Sequence, residues 1–141
     1  MKIEPSNKND FPEMLAIFNF SRELNGSFPK HTYSIDEFLA VVEGEEILVA
    51  RIGDEVVGFV SIWKPDNFLH HLFVSPKYQR KGVGKALISE SVSRFGLPMF
   101  LKCIKENIEA CRFYEQFGWQ LKEEAIGPEG PYIHYQLGEY A

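Results

Sequence analysis

The chain has 141 residues, enough for one domain with a sizeable core, and its 45% hydrophobic and 25% charged residues are those of an ordinary soluble protein. A net charge of -5 argues against general nucleic-acid binding, and no apolar run approaches the ~20 residues of a membrane span. The start, Met1-Lys2-Ile3-Glu4-Pro5, lacks the pattern of a signal peptide, and Cys103 and Cys111 lack metal-site spacing, so they read as free thiols in a reducing cytosol.

Residues 1–5 form a candidate first strand. Asp10 and Glu13 suggest a capping box for a helix over about 11–24, with Met14, Ile17, Phe18, Ser21 and Leu24 on one face and Gly26 and Pro29 ending it. Ser34 and Glu37 repeat the box before a second helix that runs to about residue 42 and stops at Gly44. A hairpin follows, 46–52 and 55–63 around Gly53-Asp54. After the turn at 64–67, the apolar stretch 68–74 reads as a strand buried on both faces. A third helix spans about 82–95 and is stopped by Gly96 and Pro98. A strand at 99–104, a helix at 108–117 capped by Asn107 and ended by Gly118, and a strand pair at 119–125 and 132–137 complete the chain. The order β-α-α-β-β-β-α-β-α-β-β predicts an α/β (by some schemes α+β) domain with a mixed central sheet and helices on both faces. The whole chain, 1–141, reads as a single domain.

The stretch 74–86 carries the chemistry. Between a strand and a helix it places Lys77, Arg80, Lys81 and Lys85, no acid, and the spacing Gly82-x-Gly84. A helix N-terminus presents unpaired N–H groups and partial positive charge, and glycines let an anion approach closely. Two phosphate motifs fail here. The P-loop needs a first glycine and a hydroxyl after its lysine, where Gln79 and Ala86 stand. The dinucleotide fingerprint needs a third small residue, where Leu87 stands. What remains, Gln79-Arg80-Lys81-Gly82-Val83-Gly84, resembles the acetyl-CoA loop of the GCN5-related N-acetyltransferases (GNAT superfamily). The plain alternative is a basic surface turn capping a helix.

A second stretch, Asn107-Ile108-Glu109-Ala110-Cys111-Arg112-Phe113-Tyr114-Glu115-Gln116-Phe117-Gly118-Trp119, is similar to that family's Asn-x-x-Ala-x-x-Phe-Tyr-x-x-x-Gly-Phe, with Trp for the last Phe. The two motifs occur in the family's order, and the resemblance covers roughly 46–137. It implies acetyl-CoA as cosubstrate and no metal. It implies that Gln79, Arg80, Lys81, Gly82, Val83, Gly84 and Lys85 surround the pyrophosphate. Gly82, Gly84 and the N–H groups carry most of that binding, and each cation alone reads more readily as a solvated charge. Leu72 is expected to offer its backbone N–H to the thioester oxygen, while Phe73 and Val74 hold the pantetheine arm by strand-like bonding. Asn107, beyond its capping role, lies near that arm with Phe113. Tyr114 is expected to protonate the departing thiolate, whereas Phe117 reads as core.

The base is less defined. His70 and His71 are consecutive on the strand and should point to opposite faces. The resemblance to members that acetylate arylalkylamines favours His70 for proton removal, directly or through water; His71 reads as a core histidine, and His134 is a distant third. Lys102 stands where peptide N-terminus enzymes carry Glu. Phe18, Phe28, His31 and Tyr33 offer either an aromatic wall for the acceptor or ordinary core. The function expected is acetyl transfer from CoA to a small-molecule amine. Protein or peptide acetylation at a lysine or N-terminus and a non-catalytic acyl-CoA-binding module are the alternatives. A cytoplasmic protein without nucleic-acid or membrane partners is expected, and a homodimer is left open.

Overall fold

Seven strands form one sheet in the order β1-β2-β3-β4-β5-β7-β6 in the computed structural model, which describes residues 1–24 and 31–139. The strands are β1 (Lys2–Pro5), β2 (Glu46–Ile52), β3 (Glu55–Trp63), β4 (Phe68–Val74), β5 (Met99–Ile104), β6 (Gln120–Gly127) and β7 (Gly130–Leu137). The helices are α1 (Phe11–Leu24), α2 (Ile35–Val41), α3 (Val83–Phe95) and α4 (Ile108–Phe117). The mixed α/β architecture is the expected one: β4 and β5 are parallel across the α3 crossover, and every other neighbouring pair is antiparallel.

The pleat divides the core in two. On β2, Leu48 and Ala50 join a cluster that contains Leu87 and Ile88 of α3 and Cys111 of α4. Ile47 and Val49 face the other way, onto Met14, Ile17 and Phe18 of α1 and Phe38 of α2. Phe18 is the hub of that second cluster, with ring contacts to Tyr33, Phe38 and Phe73 at 5.0–5.3 Å. Phe18 is therefore core rather than part of an acceptor wall. Phe28, with Gly26 and Pro29, lies outside the described residues.

Local chemistry explains several departures from expectation. The N-terminal capping box is formed by Asn7 and Asp10, not Asp10 and Glu13: Asn7 Oδ1 accepts from the Asn9 N–H, and Asp10 accepts from the Asn7 N–H. Asp10 is free to take part because one turn of 3-10 helix, Lys8–Asp10, precedes α1. Glu13 instead reaches across to accept the Val56 N–H at 3.0 Å. Leu24, expected on the buried face of α1, is exposed. The second box, Ser34 with Glu37, forms as expected. The last two strands extend further toward each other than their composition suggests and meet at Gly127 and Gly130.

Strand β4 is not buried on both faces. Of its residues only Leu69 is buried, and His70 is exposed. Two features open it. It meets β5 at Phe68 and Phe100, with no further ladder pair between these strands among the described residues. On the β3 side, Ser61 pairs with His71 while Ile62 pairs with Leu69, so His70 is an extra, bulged residue.

Candidate active site

The break between β4 and β5 defines the site. Ser75 donates its N–H to the Val57 carbonyl at 2.8 Å, which makes Ser75 and Val57 a hydrogen-bonded antiparallel pair. Such pairs alternate along a ladder. Phe73 therefore directs its backbone groups at β3, and Leu72 and Val74 direct theirs away from it, toward the side β5 has vacated. Two contacts agree. The Phe73 carbonyl comes within 3.0 Å of where a Cβ on Gly58 of β3 would stand. The Val74 carbonyl accepts a hydrogen bond from Gln79 Nε2 at 3.4 Å. The strand thus presents the N–H groups of Leu72 and Val74 in a row on the side where, among the described residues, β5 does not pair with them.

The loop after β4 turns directly into α3. One turn of 3-10 helix, Pro76–Tyr78, carries the chain to Gln79, and Arg80 and Gly82 adopt the left-handed conformation with φ of 62° and 82°. Gly82 is the N-cap and supplies no side-chain acceptor, so the first-turn N–H groups are left to be met from outside. Arg80, Lys81 and Lys85 are exposed; Arg80 approaches Glu109 at 4.0 Å with both side chains in solvent, a contact of little energetic weight. Val83 is buried in the core, so it contributes through its backbone. A Cβ at Gly84 would stand 3.2 Å from Cζ of Phe113, which locates α4 against the start of α3.

On α4, Asn107 Oδ1 accepts the Ala110 N–H at 3.3 Å, the expected cap. Tyr114 is partly buried among Phe113, Trp119 and Tyr135, with ring centroids 5.3–6.2 Å away, and its hydroxyl has no hydrogen-bond partner among the described residues. Burial first, then the nearby thiols of Cys103 and Cys111, push its phenol above the ordinary value of 10.0. Tyr114 therefore keeps its proton at neutral pH. Leu72, Val74, Phe113 and Tyr114 all pack on the same core cluster, which joins the two sequence motifs on one side of the sheet.

The histidines differ from expectation. They do not point to opposite faces: their ring centroids are 3.8 Å apart, because the bulge at His70 shifts the alternation of the strand. His71 is the inner one, bonded to Ser61 Oγ at 2.9 Å and edge-on to Phe18. Burial lowers its pKa below 6.5, against the opposing pull of Glu45. His70 lies outside it, with Nδ1 2.5 Å from Glu45 Oε2. Glu45, just before β2, is the residue that sequence reasoning missed. Its Oε1 lies 3.7 Å from His71 Nδ1. Burial alone would raise the Glu45 pKa, but hydrogen bonding from His70, with His71 and Ser61 close by, outweighs it and holds the group at about 2. No local pattern marks Glu45; only the fold brings it 25 residues along the chain to His70.

A cavity of about 360 Å³ lies here, lined by Glu45, Trp63, Asp66, Phe68, His70 and Lys102. A larger hollow of about 680 Å³ adjoins it, sharing Asp66, Phe68 and Lys102 and reaching His134 on β7. His31 and Tyr33 stand apart from both cavities: Tyr33 packs on Phe18, and His31 pairs with Glu37 at 2.8 Å. Lys102 and His134 therefore lie nearer the candidate acceptor space than the N-terminal aromatics do.

A split parallel pair, a glycine-rich helix entrance at its end and a tyrosine on the following helix form the arrangement of an acyl-transfer fold. The family described as "Acetyltransferase (GNAT) family" matches residues 11–119, and the chain belongs to it. It is 26% identical to YafP of Escherichia coli, described as an uncharacterized N-acetyltransferase, over 134 residues, 88% of this chain and 85% of that one. It is 28% identical to the peptidyl-lysine N-acetyltransferase YiaC of the same organism over 123 residues, 84% and 83% of the two chains. Among solved structures it resembles yncA of Salmonella typhimurium, determined with its cofactor acetyl-CoA, at a TM-score of 0.78 and 21% identity over 99% of this chain and 95% of that one. The chain is thus an acyltransferase of the N-acetyltransferase type. Among the described residues, no helix is long and apolar enough to cross a membrane.

Proposed function

We propose that this chain is an acetyl-CoA-dependent N-acetyltransferase that moves the acetyl group directly to the amine of a small molecule. Residues 1–141 act as one N-acetyltransferase domain, working in the cytoplasm. The observation that carries the reading is the row of backbone groups at Leu72 and Val74, turned away from β3 and leading to the open first turn of α3. A pantetheine arm has the amide spacing to add to β4 as a strand would. The N–H groups of Gly82, Val83, Gly84 and Lys85 suit the pyrophosphate that follows. Gln79, tied to the Val74 carbonyl, fixes the loop between the two. The exposed Arg80, Lys81 and Lys85 add a positive field around the phosphates. Asn107 and Phe113 border the arm from α4.

Bound there, acetyl-CoA supplies an activated acetyl group as a thioester. The acceptor nitrogen must lose a proton, and His70, exposed and lining the smaller cavity, takes it. The Leu72 N–H donates to the carbonyl oxygen as negative charge grows on it. As the nitrogen–carbon bond forms and the carbon–sulfur bond breaks, Tyr114 donates its proton toward the sulfur. Burial holds the proton on the Tyr114 phenol until the thiolate leaves.

Lys102 and His134 border the acceptor space together with Asp66 and, beside His70, Glu45, so its rim carries both signs of charge. The 28% identity to the peptidyl-lysine enzyme YiaC favours the second reading, a lysine side chain in a peptide. Release of CoA thiol from acetyl-CoA, followed across free amines, amino acids and lysine peptides, separates the two. Turnover of free amines equal to or above that of peptides is expected; turnover of peptides alone would establish the second reading.

A further inference from the structure

Glu45 is placed as no core residue needs to be. Its side chain is only 5% exposed, hydrogen bonding from His70 holds its pKa at about 2 against the effect of burial, and it lies against two imidazoles rather than a permanent cation. A carboxylate can only accept hydrogen bonds, so the His70 nitrogen that faces it, Nδ1, must carry the proton. In the neutral imidazole this leaves Nε2 as the basic nitrogen. His70 is 42% exposed and His71 11%, so His70 alone can offer that nitrogen to an incoming amine. His71 packs behind it with Nδ1 engaged by Ser61, its ring tilted by 34° to that of His70 and the centroids 3.8 Å apart.

The same three side chains are also donor types that bind metals, with ligand atoms within 4.8 Å of one another. Two ligands of one tetrahedral zinc ion stand about 3.4 Å apart, from zinc–ligand distances near 2.1 Å. The 2.5 Å between Glu45 Oε2 and His70 Nδ1 is a hydrogen-bond separation instead.

We propose that Glu45 is the positioning residue of the site: it holds His70 in the Nδ1–H tautomer and turns Nε2 toward the 360 Å³ cavity, where the acceptor amine gives up its proton. This rests on the reading of His70 as proton acceptor. The β4 bulge makes the pairing, because without the extra residue His70 and His71 would lie on opposite faces and Glu45 could meet only one of them. The relation is that of a buried acid orienting a catalytic imidazole.

Long-range ¹H–¹⁵N NMR of the full chain, under alkaline conditions where both imidazoles are neutral, reads the tautomer without any substrate. The wild type should show His70 as Nδ1–H. Glu45→Ala should return it to the Nε2–H form that free imidazole side chains favour, and Glu45→Gln, which keeps an oxygen acceptor, should preserve Nδ1–H. An Nε2–H tautomer in the wild type, or no change in Glu45→Ala, overturns the proposal. Kinetics with acetyl-CoA and 2-phenylethylamine test its consequence. Glu45→Ala should lower kcat at least about tenfold, part of the ~10²–10⁴-fold a general base supplies, with KM for acetyl-CoA unchanged. Glu45→Ala/His70→Ala should be no slower than His70→Ala alone; additive losses overturn the proposal. Full activity in His70→Ala would remove the proton-acceptor role, and the tautomer would then report only on the pairing itself.

Discussion

The rings of His70 and His71 lie with centroids 3.8 Å apart, tilted by 34° to one another, although the two residues are consecutive on one strand. The arrangement gives them separate duties, and substitution should separate them. His70→Ala should lower kcat and flatten the acidic limb of the pH–rate profile, beyond the stability it costs by leaving the buried Glu45 carboxylate without this partner. An unaltered limb would refute its role as base.

His71→Ala should act mainly on stability, by about 1–3 kcal/mol, because it removes contacts with Phe18, Phe73 and Ser61. The sign of its pH dependence follows from burial. The folded-state pKa lies below 6.5, so the unfolded chain takes up a proton first. The contribution is complete above pH 6.5 and is lost as pH falls below that value. Denaturant titrations at pH 8 and pH 5.5 should therefore show a loss in the wild type that shrinks in His71→Phe. An identical loss in both would place the effect elsewhere.

Gly82 begins α3 with φ of 82°, a conformation that costs a residue with a Cβ about 1–2 kcal/mol. No atom would meet that Cβ, so the penalty is conformational and not steric. Gly82→Ala should lower the melting temperature and weaken acetyl-CoA binding. In the wild type, acetyl-CoA should raise the melting temperature more than ATP or NADH does. Equal shifts from the three ligands would contradict the assignment of the loop.

Asp10 and Arg51 tie the start of α1 to β2 through two contacts of 2.7 Å, with Glu4 of β1 on the guanidinium's other side. The Arg51 hydrogen bonds hold the Asp10 carboxyl below its usual 3.8, against the effect of burial. Asp10→Ala should destabilise the fold by roughly 2–3 kcal/mol at neutral pH. The depressed pKa places that stability above the unfolded value, and it is lost as pH falls through the folded one. The difference between wild type and variant should therefore shrink below about pH 3.8, as followed by urea unfolding. A constant difference would exclude the ion pair as its source.

Much of this architecture is written locally. The limits of β2, β3, β4, β5 and α4 follow from apolar runs between glycines, prolines and caps, and Gly118 stops α4 in the left-handed conformation where expected. The glycine spacing at 82–84 and the Asn107 to Trp119 pattern carry the family and the cofactor loop. The bulge in β4 does not show in its sequence, since Phe-Leu-His-His-Leu-Phe-Val reads as an even strand; only pairing with Ser61 and Ile62 makes His70 the extra residue. Glu45 escaped for the same reason, because a glutamate beside Glu43 and Glu46 looks like a solvated charge until β2 and β4 enclose it. Phe18 was ambiguous because an aromatic on the apolar face of a helix has the same spacing in a core as in a ligand wall.

Tyr114→Phe tests the central claim most directly, by removing one hydroxyl that bonds to no described residue while keeping the ring that packs against Trp119 and Tyr135. Amine-dependent release of CoA should be measured for wild type and variant alongside the acetyl-CoA Kd. Acetyl transfer at the β4–β5 split predicts that the wild type releases CoA only when an amine is present, and that the variant binds acetyl-CoA as tightly but turns over at least about tenfold more slowly. A wild-type chain that binds acetyl-CoA yet releases no CoA with any amine or peptide, or a variant with undiminished kcat, would contradict the account.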